Sequence, residues 1–248
     1  MRTKQDCLLV LHRLGIAEGD TVLIHDSPML LDCVNHSATF LEALIETVGE
    51  EGTVCAYQVV SANQEPSAND KIEFLQRDKV REELVKFDWK RYRDIFYNPT
   101  FLAMTKLNGR LFNTHPRVVV CAVGKYSQLL TKGQPIDFPY GLQSAFESLK
   151  QLNAKVLYFD EDYSGAHELR LAYTPSIQSI KTEACVLGNG WMKYNDYKMD
   201  TSKYDVSVQS SIHREVEVDN KKIQSVYLQT ALNRFVNNHE ALFHELGQ

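Results

Sequence analysis

The sequence predicts an α/β protein with a mainly parallel or mixed central sheet flanked by helices, a helical insertion and a C-terminal β/α extension. Two observations carry this reading. Residues 20–57 read as strand, helix, strand, which almost obliges a right-handed parallel crossover. The same alternation resumes between residues 117 and 159. At 248 residues, with 44% hydrophobic and 24% charged side chains, the chain can bury one sizeable core and is expected to form a single domain over 1–248.

The elements follow in order. Leu8, Leu9, Leu11 and Leu14 recur at near-helical spacing and Gly15 stops the run. Asp20 to His25 is a short buried strand ended by the polar turn Asp26-Ser27-Pro28. Ser37 is suited to cap a helix whose apolar face is Phe40, Leu41, Leu44, Ile45 and Val48, closed by Gly49. Gly52 to Tyr57 is the second strand. Residues 61–98 are polar, charged and aromatic and read as an insertion over one edge of the sheet, with helix in Lys71 to Phe87. Strands return at Arg117 to Val123 and Lys155 to Phe159, around a helix from Ser144 to Leu152. Residues 177–248 diverge in pattern: Ile177 to Val186 and Glu215 to Val218 read as strands and Val226 to Leu246 as a closing helix.

Several functions are disfavoured by composition. Lys4, Asp6, His12 and Arg13 break up the N-terminal apolar residues, so no signal peptide is expected. No later segment is apolar enough to span a bilayer. The five cysteines are widely spaced, without a CxxC pair, and read as free thiols in a reducing cytoplasm, with no metal site. A formal charge of −5 disfavours nucleic-acid binding, and the densest basic stretch, Lys86 to Arg93, is interrupted by Asp88.

Chemistry-bearing residues cluster in four pieces, three of them just after predicted strands, where open α/β sheets bind ligands. These are His25-Asp26-Ser27, Asn113-Thr114-His115-Pro116, Gly141-Leu142-Gln143-Ser144 and Gly165-Ala166-His167-Glu168-Leu169-Arg170. Ser27 and Ser144 have a plain alternative role as helix caps, and His115 as a turn residue before proline. His167, following an acidic loop that contains Asp160 and Asp162, is the better base candidate, since a histidine beside carboxylates can be oriented and tuned.

The order of these motifs resembles that of the aminoglycoside 3-N-acetyltransferase family. The matching pieces are Glu18-Gly19-Asp20 through His25-Asp26-Ser27, Val48-Gly49 through Gly52-Thr53-Val54, Asn98-Pro99-Thr100, Phe112 to Pro116, Ala122-Val123-Gly124, Tyr140 to Ser144 and Gly165-Ala166-His167. They span roughly Leu8 to Pro175, and the last third matches only loosely. The resemblance implies an acyl-CoA donor, acetyl-CoA or a longer one, and direct acyl transfer to a sugar amine without a metal. It also implies that His25, Asp26, Ser27, Asn113, Thr114 and His115 hold the donor and that His167 is the general base. Tyr57, Asp160, Asp162 and Arg170 are the residues expected to face the acceptor.

Three positions depart from the family pattern. Asp26 stands where the family has serine, Phe112 where it has arginine, and His-x-x-Glu becomes His167-Glu168-Leu169-Arg170. The supporting acid is therefore displaced, with Glu168, Asp160 and Asp162 as candidates. Arg170 and the modest net charge, too weak for a site devoted to polycations, lean the expectation toward a nucleotide-linked amino sugar. The alternatives are an aminoglycoside acceptor and an inactive binding protein on the same fold. A homodimer is allowed for, with no segment marking its interface.

Overall fold

The computed structural model describes residues 3–25, 37–68, 72–84, 86, 98–159, 163, 165–175, 178–187 and 190–246. Helix α1 (Lys4–Arg13) is opened by a capping box: Thr3 Oγ1 accepts the Asp6 N–H at 3.2 Å and Asp6 Oδ2 accepts the Thr3 N–H at 3.0 Å. Strand β1 (Thr21–Ile24), helix α2 (Ser37–Val48) and strand β2 (Thr53–Val59) follow as the pattern predicts, and β1 and β2 pair in parallel. Ser37 opens α2. Next come α3 (Arg77–Glu83), α4 (Pro99–Met104), β3 (Leu111–Phe112), β4 (Val118–Gly124), α5 (Ser127–Thr131), α6 (Ala145–Gln151) and β5 (Lys155–Tyr158). A 3₁₀ helix (His167–Ala172) precedes β6 (Ile180–Leu187), β7 (Gly190–Tyr197), α7 (Tyr204–Gln209), β8 (Ile212–Val218), β9 (Lys221–Tyr227) and α8 (Leu228–Leu246).

Seven strands form one sheet in the order β3-β4-β2-β1-β5-β9-β8, and β6 and β7 form a separate hairpin. The sheet is mixed, which narrows the expectation of a mainly parallel one. Among the strands of this sheet only β2, β1 and β5 pair in parallel, whereas β4 pairs antiparallel to β2 and β9 antiparallel to β5. Every residue of β1 and β5 is buried, as befits strands covered on both faces. Alternate residues divide between two cores. Val22, Ile24, Val54, Ala56 and Leu157 pack with α1, α2 and α4, while Leu23, Cys55, Val156 and Tyr158 pack with α6, α7 and α8.

Other boundaries shift for identifiable reasons. The closing helix starts at Leu228, because Lys221–Tyr227 is strand β9, whose buried Gln224 and Ser225 hide its apolar period. The described part of 61–98 engages the hairpin as well as the sheet: Gln64 bridges to Cys185, the Glu65 N–H donates to the Ala184 carbonyl at 2.9 Å, and Asn63 Nδ2 donates to the Pro116 carbonyl at 2.9 Å. Cys7, Cys55, Cys121 and Cys185 are buried free thiols, and among the described residues no helix is long and apolar enough to cross a membrane.

The pairing of β2 with β4 ends at Thr53 and Gly124, where two backbones cross closely. Gly124 has φ +112°, and a Cβ there would stand 2.3 Å from the Gly52 carbonyl oxygen. Gly124→Ala is therefore expected to lower stability by about 1–3 kcal/mol or more in urea unfolding. Gly133→Ala, with φ +74° in open space, should be milder. Equal losses in the two variants would show that the crossing is not the constraint.

Candidate functional site

The topology brings one edge of the sheet together. The C-terminal ends of the parallel strands β2, β1 and β5 share it, and the antiparallel β4 and β9 present their N-terminal ends there, with Val59 opposite Val118 and Tyr158 opposite Gln224. Glu168 sits fully buried at this edge. Its carboxylate accepts hydrogen bonds from the hydroxyls of Tyr57 on β2 (2.6 Å) and Tyr158 on β5 (2.5 Å), and it lies 3.7 Å from Nδ1 of His25, just after β1. Burial alone would push this carboxyl up. The neighbouring His25 ring, followed by the two phenol donors, outweighs that and holds it below its usual value. Burial and the neighbouring carboxylate push both tyrosines well above 10, so they remain donors.

Glu168 is thus a partner of His25 and does not pair with His167. Residues one apart on a 3₁₀ helix point about 120° from each other, so the carboxylate turns inward while the His167 ring faces the other way. Burial, then the Arg170 charge, lowers His167 to about 4 and keeps it neutral near pH 7. Among the described residues its Nδ1 has no hydrogen-bond partner. Among the described residues, Arg170 pairs with the hairpin and not with Glu168. Its guanidinium donates to Asp196 on β7 at 2.5 Å and to the Tyr197 carbonyl at 2.9 Å, and it stacks 4.3 Å over the Tyr140 ring.

The remaining expectations resolve individually. Tyr57 is buried and spent on Glu168, with its hydroxyl also 3.0 Å from the Gly165 carbonyl, so it braces the site instead of facing an acceptor. Asn113 is turned inward: its Oδ1 accepts the Val120 N–H at 3.2 Å. His115 Nδ1 accepts the N–H groups of Arg117 and Val118, both at 3.1 Å, so Nε2 carries the proton and donates to the Ile136 carbonyl at 3.1 Å. That imidazole has no lone pair left for a base. Thr114 alone in this turn is exposed. Asp26, Ser27, Asp160 and Asp162 lie outside the described residues.

A cavity of about 180 Å³ adjoins this edge, lined among others by His167, Tyr140, Arg117, Arg170, Tyr194 and Asp196. The hairpin residues were missed although the sequence marks the hairpin: Gly188-Asn189-Gly190 stands between two strand-like runs, and Asn-Gly there is a turn signal. Arg117 was within reach, two residues past His115 at the start of a strand.

A family model described as aminoglycoside 3-N-acetyltransferase matches residues 23–237. The chain belongs to this family. It is 27% identical over 210 residues to a SPbeta prophage-derived aminoglycoside N(3')-acetyltransferase-like protein, YokD, of Bacillus subtilis, covering 79% of this chain and 75% of that protein. It is 26% identical to aminoglycoside N(3)-acetyltransferase III of Acinetobacter baumannii, with 79% and 72% covered. A solved structure titled AAC-IIIb binary with CoASH superposes with a TM-score of 0.74 at 23% identity, covering 96% of each chain, which supports the family's fold here.

Two buried histidines make this family member's stability depend on pH. Burial lowers His115, like His167, to about 4, against roughly 6.5 when unfolded. Between those values the unfolded chain binds more protons, so stability is complete above about pH 6.5 and falls as pH drops toward 4. Each histidine accounts for about 2 kcal/mol between pH 7 and 5. In urea unfolding at those two pH values, His115→Gln should reduce the parent's loss by about that amount. An unchanged loss would mean that His115 is protonated in the folded state.

Proposed function

We propose that the chain is an acyl-CoA-dependent N-acyltransferase that moves an acetyl or longer acyl group onto the amine of an aminoglycoside-type amino sugar. The observation that carries this reading is His167: a neutral imidazole with an open Nδ1, lining a cavity at the C-terminal edge of the parallel strands in a chain of this family. The relatives' names favour aminoglycosides as the acceptor class. The nucleotide-linked amino sugar expected from Arg170 is set aside, because Asp196 already compensates that charge.

The chemistry requires a deprotonated amine, since an ammonium has no lone pair for attack. His167 accepts the amine proton as nitrogen adds to the thioester carbonyl. The tetrahedral intermediate then breaks its C–S bond and CoA leaves as the thiolate, which takes up a proton to become the free thiol. Neutrality of His167 suits it to accept, but a value near 4 makes it a weak base until something offsets the nearby guanidinium charge. Glu168 acts indirectly: with Tyr57 it fixes the Gly165 turn and thereby the position of the ring. Thr114, exposed at the same edge, is the residue of its turn available to the donor.

His167→Ala is expected to lower kcat for sisomicin acetylation by about 10²–10⁴-fold, with acetyl-CoA affinity by calorimetry little changed. His115→Gln should keep most of the activity. A His167→Ala enzyme with parental kcat would remove the general-base role. Acetyl-CoA binding without CoA release, across a panel of aminoglycosides and simpler amino sugars, would return the chain to the binding-protein alternative.

A further inference from the structure

The cavity beside His167 does not stand alone. Lys181, Glu183 and Met199 line both it and a wider cavity of about 820 Å³ along the β6–β7 hairpin, so the two are neighbours. Their combined walls carry five cationic side chains, Lys181, Lys193, Lys198, Arg117 and Arg170, against three carboxylates, Glu65, Glu183 and Asp196. This excess lies in a chain whose formal charge is −5.

The carboxylates are all engaged. Glu65 pairs with Arg81 at 2.5 Å, Asp196 with Arg170 at 2.5 Å, and Glu183 with Lys181 and the Tyr194 hydroxyl. Among the described residues, Arg117, Lys193 and Lys198 have no carboxylate within ion-pair distance. Lys193 and Lys198 are exposed, where an unpaired ammonium is ordinary. Arg117 is different, being only 9% exposed. Its Nε donates to the Tyr194 hydroxyl at 2.9 Å, while its buried Nη1 has no hydrogen-bond partner. A buried guanidinium with an unfilled donor is costly unless a ligand completes it, and its planar fork matches phosphate oxygens.

We propose that Arg117, with Lys193 and Lys198 lining the adjoining cavity, forms a phosphate-binding subsite beside His167. The phosphate has two chemical sources, a CoA-type donor or a phosphorylated amino-sugar acceptor. These sources rest on the acyltransferase reading, whereas the subsite itself does not. Occupancy has a consequence for the neighbouring imidazole. Burial first, then Arg170, and to a smaller degree Arg117, hold His167 down, so a bound phosphate dianion offsets those guanidinium charges and makes the ring a better base.

The test is calorimetric titration of the full chain with two pairs of probes: CoA against pantetheine, and glucosamine 6-phosphate against glucosamine. The parent should prefer the phosphorylated member of one pair by about tenfold or more, and that pair identifies the source. Arg117→Gln should abolish most of the preference while leaving affinity for the phosphate-free member within about twofold. Because Arg117 also holds Tyr194, the double variant Lys193→Gln/Lys198→Gln, at exposed positions, provides a second reading and should weaken the same preference. No preference in either pair, or one that survives in both variants, would overturn the subsite. Turnover is not needed for this measurement, so phosphate binding without CoA release would sink the acyltransferase reading and leave the subsite standing.

Discussion

A carboxylate with no access to solvent constrains this fold more than any other single group. Glu168 draws its compensation from three strand ends at once: the phenol of Tyr57, the phenol of Tyr158 and the ring of His25. Isolated burial of such a charge would be prohibitive, and removing a hydrogen-bond partner from a buried polar group typically costs about 1–3 kcal/mol, more where the group is charged. The ends of β2, β1 and β5 are therefore held in mutual register by electrostatics as well as by the sheet. The 3₁₀ turn that carries Glu168 also carries His167, so the position of that ring is tied to the same anchor.

Two histidines consequently occupy opposite electrical settings a short distance apart. His25 faces an anion, sits against the Tyr158 ring at 4.8 Å and is nearly excluded from water. His167 faces two guanidinium groups across the cavity. Where the family pattern is His-x-x-Glu, this turn has its glutamate next to the histidine, and that carboxylate is buried in the interior. Asp196 on the hairpin then compensates the Arg170 placed on the cavity side.

Much of this was legible in the sequence. The parallel crossover through residues 20–57 announced itself by apolar period, and Ser144 caps α6 as its position before an apolar run suggested, accepting N–H bonds at 3.2 and 3.4 Å. Glu168 was recognisable as a displaced acid, but its true partner was not. A one-residue offset on a helix decides direction only once the helix type is known, and a 3₁₀ turn was not foreseeable. The reading of Tyr57 failed for a related reason: strand alternation tells which face a residue takes, not whether its polar tip meets ligand or protein. Arg117 and Asp196 were invisible as a site because their proximity depends on a hairpin packed from 70 residues or more further along the chain.

That hairpin has a consequence for how such a protein can change over time. β6 and β7 pair with each other and join the rest through the bridge of Gln64 to Cys185 with its flanking backbone hydrogen bonds, the Phe138 N–H donated to the Asn195 carbonyl, and side-chain contacts. No strand of the seven-stranded sheet takes its register from them. Substitutions on the hairpin can therefore redraw the charge and shape of the cleft while the catalytic edge stays in place. Selection for a new ligand has a module to work on, one whose failures damage recognition before they damage the fold.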